Sequence, residues 1–577
     1  MYQRFKEWLS FLFFVLIATT FTQAQSSFIP LNDDYYHLID RLEIKRGKLS
    51  EGFHSNVKPF ERKAVVALTD SILREGNVKL TSRDWETIDY LREDSWEWTG
   101  GSAATDSVRY NKLARLGWRK SLPDGQKRKF WEHAADLYGK HNKDWDLHFN
   151  FVTTNFIGKD NDSDTSRTLW FTGRGVEIRG MINDKLGFYT FVSDNQGRFP
   201  RYVRDFSPQY SFPGEGLAKY TKNQGTDFLS ARGYITFRPL KSVNVKFGHD
   251  YNVFGSGYRS LILSDNSSPY LFLRLDTQLG RFHYTNLWTS MLDSDVKDGL
   301  RGKKFGAIHH LSLNLTDKIN LGIFEAEVFS RDSVGGGYDL NYLNPIIFYR
   351  YIESYIGSQD NALLGLDFRW LVGKKASIYS QFILDEFLTR YMFNGSKSWT
   401  NKYSFQLGTK YVDAFGIPNL DIQAEYNLVR PYTYSHKDLG RNYAHYGQSL
   451  AHPLGANFRE FVGIARYKAT SRLSVYGTLM FASQGRDSLF TDRSFGGDVM
   501  KSYELRYTDE GNKLGQGIST KTASLDLRLS YSLAHNLFLD GRLLVRNVAS
   551  PEPRYDARTS VFSLAIRYNM AYRQQTY

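Results

Sequence analysis

The feature that most constrains this chain is a two-residue period with charge on one face only. In VFSLAIRYNMAY, Phe562, Leu564, Ile566, Tyr568, Met570 and Tyr572 share one face. Ser563, Ala565, Arg567, Asn569 and Ala571 share the other. KTASLDLRLSYSL repeats the pattern: Ala523, Leu525, Leu527, Leu529, Tyr531 and Leu533 oppose Ser524, Asp526, Arg528, Ser530 and Ser532. Successive strand residues point to opposite sides. An apolar face about ten residues long, with aromatics near its ends, matches a strand that crosses a bilayer. One such strand fits a soluble sandwich; a long succession, each with an almost uncharged face, fits a membrane barrel better.

The connections alternate in length. INDK, RPLKS, LTDK, VGKK, ATSR and LAHN are short, whereas the segments near 195–227, 253–269, 331–360, 387–402, 430–457, 484–519 and 547–560 are long. Outer-membrane barrels pair short periplasmic turns with long outer loops. On this rule nine strands run upward from about 145, 186, 243, 281, 319, 376, 419, 472 and 537. Nine return from about 168, 228, 270, 304, 361, 403, 458, 520 and 561. The expected fold is therefore an all-β membrane protein, an antiparallel outer-membrane barrel of about 18 strands, with both chain ends periplasmic. Segments 253–277 and 341–356 are ambiguous and leave that count open by about two.

A barrel of this size encloses a lumen wide enough for water. The inward register places Glu177, Arg179, Asp367, Arg369, Asp421, Glu425, Asp526, Arg528, Asp540, Arg542 and Arg567 there. Both signs alternate along single strands. That favours a neutralised wall that braces the barrel or receives a plug over a selective pore lining.

The N-terminus, MYQRFKEWLSFLFFVLIATTFTQAQ, has a basic start at Arg4 and Lys6, a short apolar core and a small-residue ending at Thr22-Gln23-Ala24. Residues 1–24 read as an export signal, too short for a stable span. No other apolar run reaches membrane-helix length, and the mean hydropathy is -0.46, a test blind to barrels. The chain has no Cys, which excludes disulfides, thiolate chemistry and a lipid anchor on Cys. The net charge of +13 becomes +12 without Arg4, Lys6 and Glu7. Because the basic residues are scattered among acids on an exported chain, acidic glycans or lipid headgroups are expected partners, and nucleic acid is not.

Residues 25–143 do not alternate. They are expected to form a small helical periplasmic or plug domain ahead of a barrel spanning 144–577. KPFERKAVVALTDSILREG puts Pro59 at a first helical position and Val65, Leu68 and Ile72 on one stripe. Thr81-x-x-Asp84 is a capping-box pattern, and YYHLIDRLEIKRG is a third helix. Closing the pore, capping it passively and docking another protein are the roles open to it.

Reaction chemistry finds little support. DNDSDT (160–165) has alternate Asp residues, but Thr165 and Phe171 stand where a calcium loop needs Gly and Glu. Asp385 and Glu386 are adjacent on a strand and point apart. His309 and His310 do likewise. FGSGYRS (254–260) is Gly-rich without a following helix to hold a phosphate. No enzyme, metal or cofactor is expected.

The loop 430–457, RPYTYSHKDLGRNYAHYGQSLAHPLGAN, concentrates aromatic and imidazole groups between an upward and a downward strand. Its address makes it extracellular or folded into the outer lumen. Tyr432, Tyr434, His436, Tyr443, His445, Tyr446 and His452 are the candidate glycan-contacting residues, with Asn442, Gln448 and Asn457 as polar partners. Flat amphipathic rings stack on sugar faces while amides and imidazoles bond hydroxyls. Packing of loop against loop accounts for the same composition equally well.

The combination of YHLIDRLEIKRG, KPFERKAV, HNKDWDLHFNF, FGHDYNVFGSGYRSLILSDNSSPYLFLRLD, FHYTNLW, QFILDEF and EYNLVRPYTYSH…YAHYGQSLAHPLGAN resembles the Bacteroidetes branch of the Wzi-type capsule assembly family, which includes proteins similar to the gliding-motility protein RemB. The resemblance covers nearly the whole mature chain and is most specific at 249–288 and 425–457. It implies an 18-stranded outer-membrane barrel plugged by N-terminal helices, non-enzymatic, binding capsular polysaccharide at the surface. It supplies no ligand residues. Two other functions remain open: an interaction subunit of gliding-motility or type IX secretion machinery, with outer-membrane or periplasmic protein partners, and a diffusion porin.

Overall fold

The computed structural model describes residues 25–99, 130–161, 168–221, 225–297, 300–331, 337–346, 348–385, 396–488 and 491–573. The export signal, most of the DNDSDT stretch and Glu386 lie outside them.

Eighteen strands form the wall: β1 Trp145–Asp160, β2 Leu169–Ile182, β3 Leu186–Arg198, β4 Thr226–Leu240, β5 Val243–Asp250, β6 Tyr270–Leu279, β7 Phe282–Lys297, β8 Leu300–Asn314 and β9 Ile319–Phe329. They continue as β10 Asn361–Val372, β11 Ala376–Asp385, β12 Tyr403–Tyr411, β13 Leu420–Val429, β14 Phe458–Lys468, β15 Leu473–Arg486, β16 Ile518–Ala534, β17 Leu537–Ala549 and β18 Ala557–Tyr568. Each pairs antiparallel with its neighbours in sequence. The barrel closes where β18 pairs β1, from Val561↔Asp160 to Tyr568↔Thr153. Every strand begins within about four residues of the position the alternation gives. Pairing onto β1 starts earlier than residue 144, because Tyr138–His141 already bonds it.

The register follows the two-residue period. On β16, Leu527, Leu529 and Tyr531 are exposed on the outer wall, while Asp526, Arg528 and Ser530 are buried inside. A one-residue slip would put those charges in lipid, so the apolar band fixes the register. At one rim the turns are tight; in the three residues between Ile182 and Leu186, Asn183 and Asp184 are both at φ 52°, and the Lys185 amide donates to the Ile182 carbonyl at 3.0 Å. The last strand departs from expectation. It stops at Tyr568, Asn569 turns at φ 52°, and the tail re-enters the lumen. Tyr572, expected on the outer face, lies inside with its ring 3.8 Å from the Arg528 guanidinium.

Three helices sit within the tight-turn end: α1 Asp33–Arg46, α2 Arg62–Glu75 and α3 Ser82–Asp94. Asn32 caps α1 by accepting from the Asp34 and Tyr35 amides. Thr81 and Asp84 form the capping box of α3. Val65, Leu68 and Ile72 are buried in the helical core with Ile39, Leu42 and Leu91. Pro59 is not helical. Residues 57–58 are held extended in a ladder, Glu61 is the N-cap, and α2 starts at Arg62.

Ion pairs join this plug to the inner wall. Arg41 contacts Asp84 at 2.7 Å, Asp413 at 2.7 Å, and Asp421 on β13. Lys45 bridges Asp84 and Asp413, and His37 meets Asp421 at 2.8 Å. Arg369 on β10 reaches Glu43, and Arg528 on β16 reaches Asp34, each at 2.7 Å. Several of the charges that the alternation turns inward are therefore half of a plug–wall pair, as a plugged lumen requires. Rim contacts add to them: Arg83 bonds Ser471, Tyr90 bonds Asn536, and Leu49 donates to the Asp317 carbonyl.

Candidate functional site

At the long-loop rim, chain folds back into the lumen. The segment after β5 runs down to the plug, where Val253 and Phe254 pair Lys58 and Val57. The Gly-rich stretch explains how. The Tyr258 and Arg259 amides donate to the Glu425 carboxylate at 2.8 and 3.1 Å, and a Cβ on Gly257 would lie 2.6 Å from that carboxylate. The motif does cradle an anion with backbone N–H groups, but the anion is the protein's own Glu425.

The loop 430–457 lies over this layer as a lid. Tyr432, Tyr434, His436, Tyr443, His445 and His452 are buried, and Tyr446 is half-buried. Each is occupied. The Tyr432 hydroxyl donates to the Ser494 carbonyl, Tyr434 to Leu261 and Tyr443 to Ile262. The Tyr434 and Tyr443 rings stack at 5.8 Å, and His436 meets Tyr503 edge-on. His445 Nδ1 accepts from the Leu292 amide at 3.0 Å, so its protonated Nε2 donates to the Pro269 carbonyl at 3.2 Å. His452 Nδ1 accepts from the Leu454 amide, and its Nε2 donates to Glu460 at 2.8 Å. Tyr446 and Gly447, at φ 54° and 74°, turn a small hairpin, and Arg301 covers the Tyr446 ring at 4.4 Å. Burial lowers both lid histidines from their ordinary value, His445 to about 4.

The polar partners are enclosed as well. Asn442 accepts from Lys304, Gln448 bonds the backbone at Gly214 and Glu215, and Asn457 bonds four backbone groups. The seven candidate residues are thus brought together, but as the packing of the lid. Their polar atoms and ring faces are taken up by carbonyls, amides, the Glu460 carboxylate, the Arg301 guanidinium and neighbouring rings, and six of the seven are buried in this conformation. Sequence composition could not separate contact from packing here, because both need flat amphipathic side chains.

Beneath the lid the plug fills only part of the lumen. Its ion pairs reach β10, β12 and β13 and also β2, β4, β14 and β16, and a chamber of about 530 Å³ remains beside β1–β5 and β16–β18. Tyr251, Tyr258, Tyr476 and Tyr572 line it, with Asp33 of the plug and Arg232 of β4. The Arg232 guanidinium lies 4.4 Å from the Phe191 ring and 5.7 Å from the Tyr251 ring. Asp33 opens onto the chamber yet is enclosed by the barrel. Other charges are neutralised locally: Asp526 holds Arg542 at 2.7 Å, and Glu215 holds Arg573. Aromatic faces beside single hydrogen-bonding charges form a surface that grips polar, partly apolar molecules such as sugars. The sequence reading missed Arg232; its place in SARGYITF, on the same face as Phe228 and Ser230, was the signal that puts it inward, but nothing in the sequence told which inward residues the plug would leave free. Among the described residues there is no cluster of three or more metal-ligating side chains.

No family model matches the sequence, and no curated protein matches it. Among solved structures, the chain is similar to Wzi of Escherichia coli, described as an outer-membrane protein involved in group 1 capsule assembly and a carbohydrate-binding β-barrel. The TM-score is 0.55 at 12% identity, covering 95% of this chain and 100% of that one. OprD of Pseudomonas aeruginosa superposes at 0.41 with 12% identity over 73% of this chain and 94% of that one. OccAB2 of Acinetobacter baumannii superposes at 0.43 with 8% identity over 73% and 97%. At 12% identity the likeness to Wzi is one of fold alone, that of a closed antiparallel barrel.

Proposed function

We propose that this protein engages polysaccharide at the outer surface of the outer membrane, anchoring it or aiding its assembly, without catalysing a reaction. The observation that carries this reading is the lumen. It is plugged below and lidded above, and it keeps an aromatic-lined chamber of about 530 Å³, within the range of small-ligand sites. The architecture shared with a barrel described as carbohydrate-binding supports it, as does the resemblance of the sequence to the Wzi-type capsule assembly family. In this reading the tight turns and plug face the periplasm and the lid faces outward. The lid residues act by holding the loops, and the chamber carries the contacts. The test replaces Arg232 and Tyr251 together with Ala and measures polysaccharide retained on cells against that released to the medium. Increased release with normal barrel assembly supports the reading; unchanged retention removes the chamber from it.

One observation favours a second reading, a diffusion pathway. The chamber is bordered by Ser471 and Asn536 at the tight turns and by Pro213 and Pro453 at the long loops. Steady conductance of the purified protein would favour that reading.

A further inference from the structure

By the alternation of connections, the chain after β9 belongs to a long outer loop. Instead it packs on the outside of the wall. The Pro345 carbonyl accepts from the Tyr284 hydroxyl at 2.7 Å and from Asn286 at 3.1 Å, and the Tyr342 carbonyl accepts from the Trp288 indole at 3.0 Å. Tyr284 is the third residue of β7, just past the tight turn that follows β6. The segment therefore runs down the wall beside residues that cross the bilayer. A helix, α4 Tyr349–Ile356, follows and packs Tyr349 and Ile352 against Phe305, Ala307 and Phe329.

What α4 covers is unusual. On β9 the inward register holds Asn320, Phe324 and Ala326, so Ile323, Glu325 and Glu327 point outward. Ile323 is exposed as a lipid-facing residue should be, but Glu325 and Glu327 are buried under the segment. The Glu325 carboxylate accepts from the Arg350 amide in the first turn of α4, a favourable place for negative charge. His309, outward on β8, lies 3.5 Å from Glu325 and stacks on Tyr349 at 4.0 Å. Among the described residues, Glu327 has no hydrogen-bond partner on either oxygen. Carboxylates on the lipid side of a barrel strand are costly in the hydrocarbon. The opposite face of the segment is apolar and tyrosine-rich. Ile346 is 80% exposed, Tyr355 77%, Phe348 67% and Tyr351 63%. It continues the exposed apolar band of Ile323, Leu364 and Leu366.

We propose that residues 337–346 and 348–360 form a belt on the barrel wall. The belt faces bilayer acyl chains through Ile346, Phe348, Tyr351 and Tyr355 and shields His309, Glu325 and Glu327 from them. The occupant is lipid because the exposed face is continuous with the lipid-facing band and the covered groups are those lipid would reject. The chain has no Cys, so single reporters are clean. A nitroxide is placed in turn at Ile346→Cys, Tyr351→Cys and Tyr355→Cys in the full-length protein in liposomes. Relaxation by oxygen, which concentrates in lipid, is compared with relaxation by a water-soluble nickel chelate. Ile323→Cys is the lipid reference and Tyr507→Cys the aqueous loop reference, with folding confirmed by heat-modifiable migration. Oxygen should dominate at all three belt sites, as at Ile323→Cys. Dominance of nickel would make the segment an ordinary outer loop. Low accessibility to both would mean that a second copy covers it; either result overturns the proposal.

Discussion

Arg41 is the side chain whose loss should most clearly release the plug. It is buried and holds three carboxylates, Asp84 within the plug and Asp413 and Asp421 of the wall. In Arg41→Met those carboxylates keep, among the described residues, only Lys45 and His37 as ion-pair partners. Removing one partner of a buried ionic network costs about 3–5 kcal/mol, because the remaining charges stay desolvated. At about 1.4 kcal/mol per decade, the population with a displaced plug rises by roughly two to four orders of magnitude. The control is Arg281→Met, which loses the exposed Arg281–Asp317 pair and should cost under about 1 kcal/mol. The assay is single-protein conductance in a planar bilayer. The native protein and Arg281→Met should conduct rarely and Arg41→Met in frequent openings, with deletion of 25–143 giving the largest conductance. Acid should mimic the variant. Burial pushes the Asp413 carboxyl up, but Lys45 and Arg41 outweigh that and hold it at about 2. A carboxyl depressed on folding stabilises above its unfolded value near 4 and loses that contribution as the pH falls through about 2. The clamp should therefore hold at pH 5 and open toward pH 2. Conductance of Arg41→Met equal to that of the native protein would refute the ionic clamp.

The lid should weaken in mild acid: an unfolded lid protonates His445 near 6.5, the folded one only near 4, so stability is full above 6.5 and falls by roughly 3 kcal/mol toward pH 4. Protease nicking of 484–519 followed against pH checks this, and a flat profile counts against the buried imidazole. Asn457→Ala should destabilise the lid by roughly 2–4 kcal/mol, since it strips four backbone groups of their partner; the same nicking assay at pH 8 reads it. Tags in 430–457 and 484–519 should be reachable from outside intact cells and a tag in the Leu533–Asn536 turn should not, and the reverse labelling would invert the barrel. The triple Tyr443→Ala, His445→Ala, Tyr446→Ala should lower lid stability, with polysaccharide retention lost only as far as the lid opens.

Much of the barrel was legible because its physics is local. A strand such as β16 must show lipid an apolar face at every second residue, so register and face follow from sequence order alone. The turns were legible for the same reason, and so was the capping box at Thr81. The β18 end was not: Met570 and Tyr572 continue the alternation, yet Asn569 turns the chain inward, and a single left-handed residue leaves no periodic trace. The roles within 430–457 were illegible because they depend on which carbonyls and amides come to surround each ring. The external placement of 337–346 and 348–360 was hidden too, although Glu325 and Glu327 at outward positions of an otherwise apolar strand were its trace in the sequence.

The central claim is engagement of a polysaccharide by the folded barrel. The most direct measurement passes surface polysaccharide, purified from the native cells, over the immobilised full-length protein in mild detergent, with heat-unfolded protein as control. The account predicts saturable retention by the folded protein, lost on unfolding and reduced when Arg232 and Tyr251 are replaced by Ala. Equal retention by folded and unfolded protein, or none by either, would contradict it; co-purification of a large protein complex in place of glycan would then assign the barrel to cell-surface machinery.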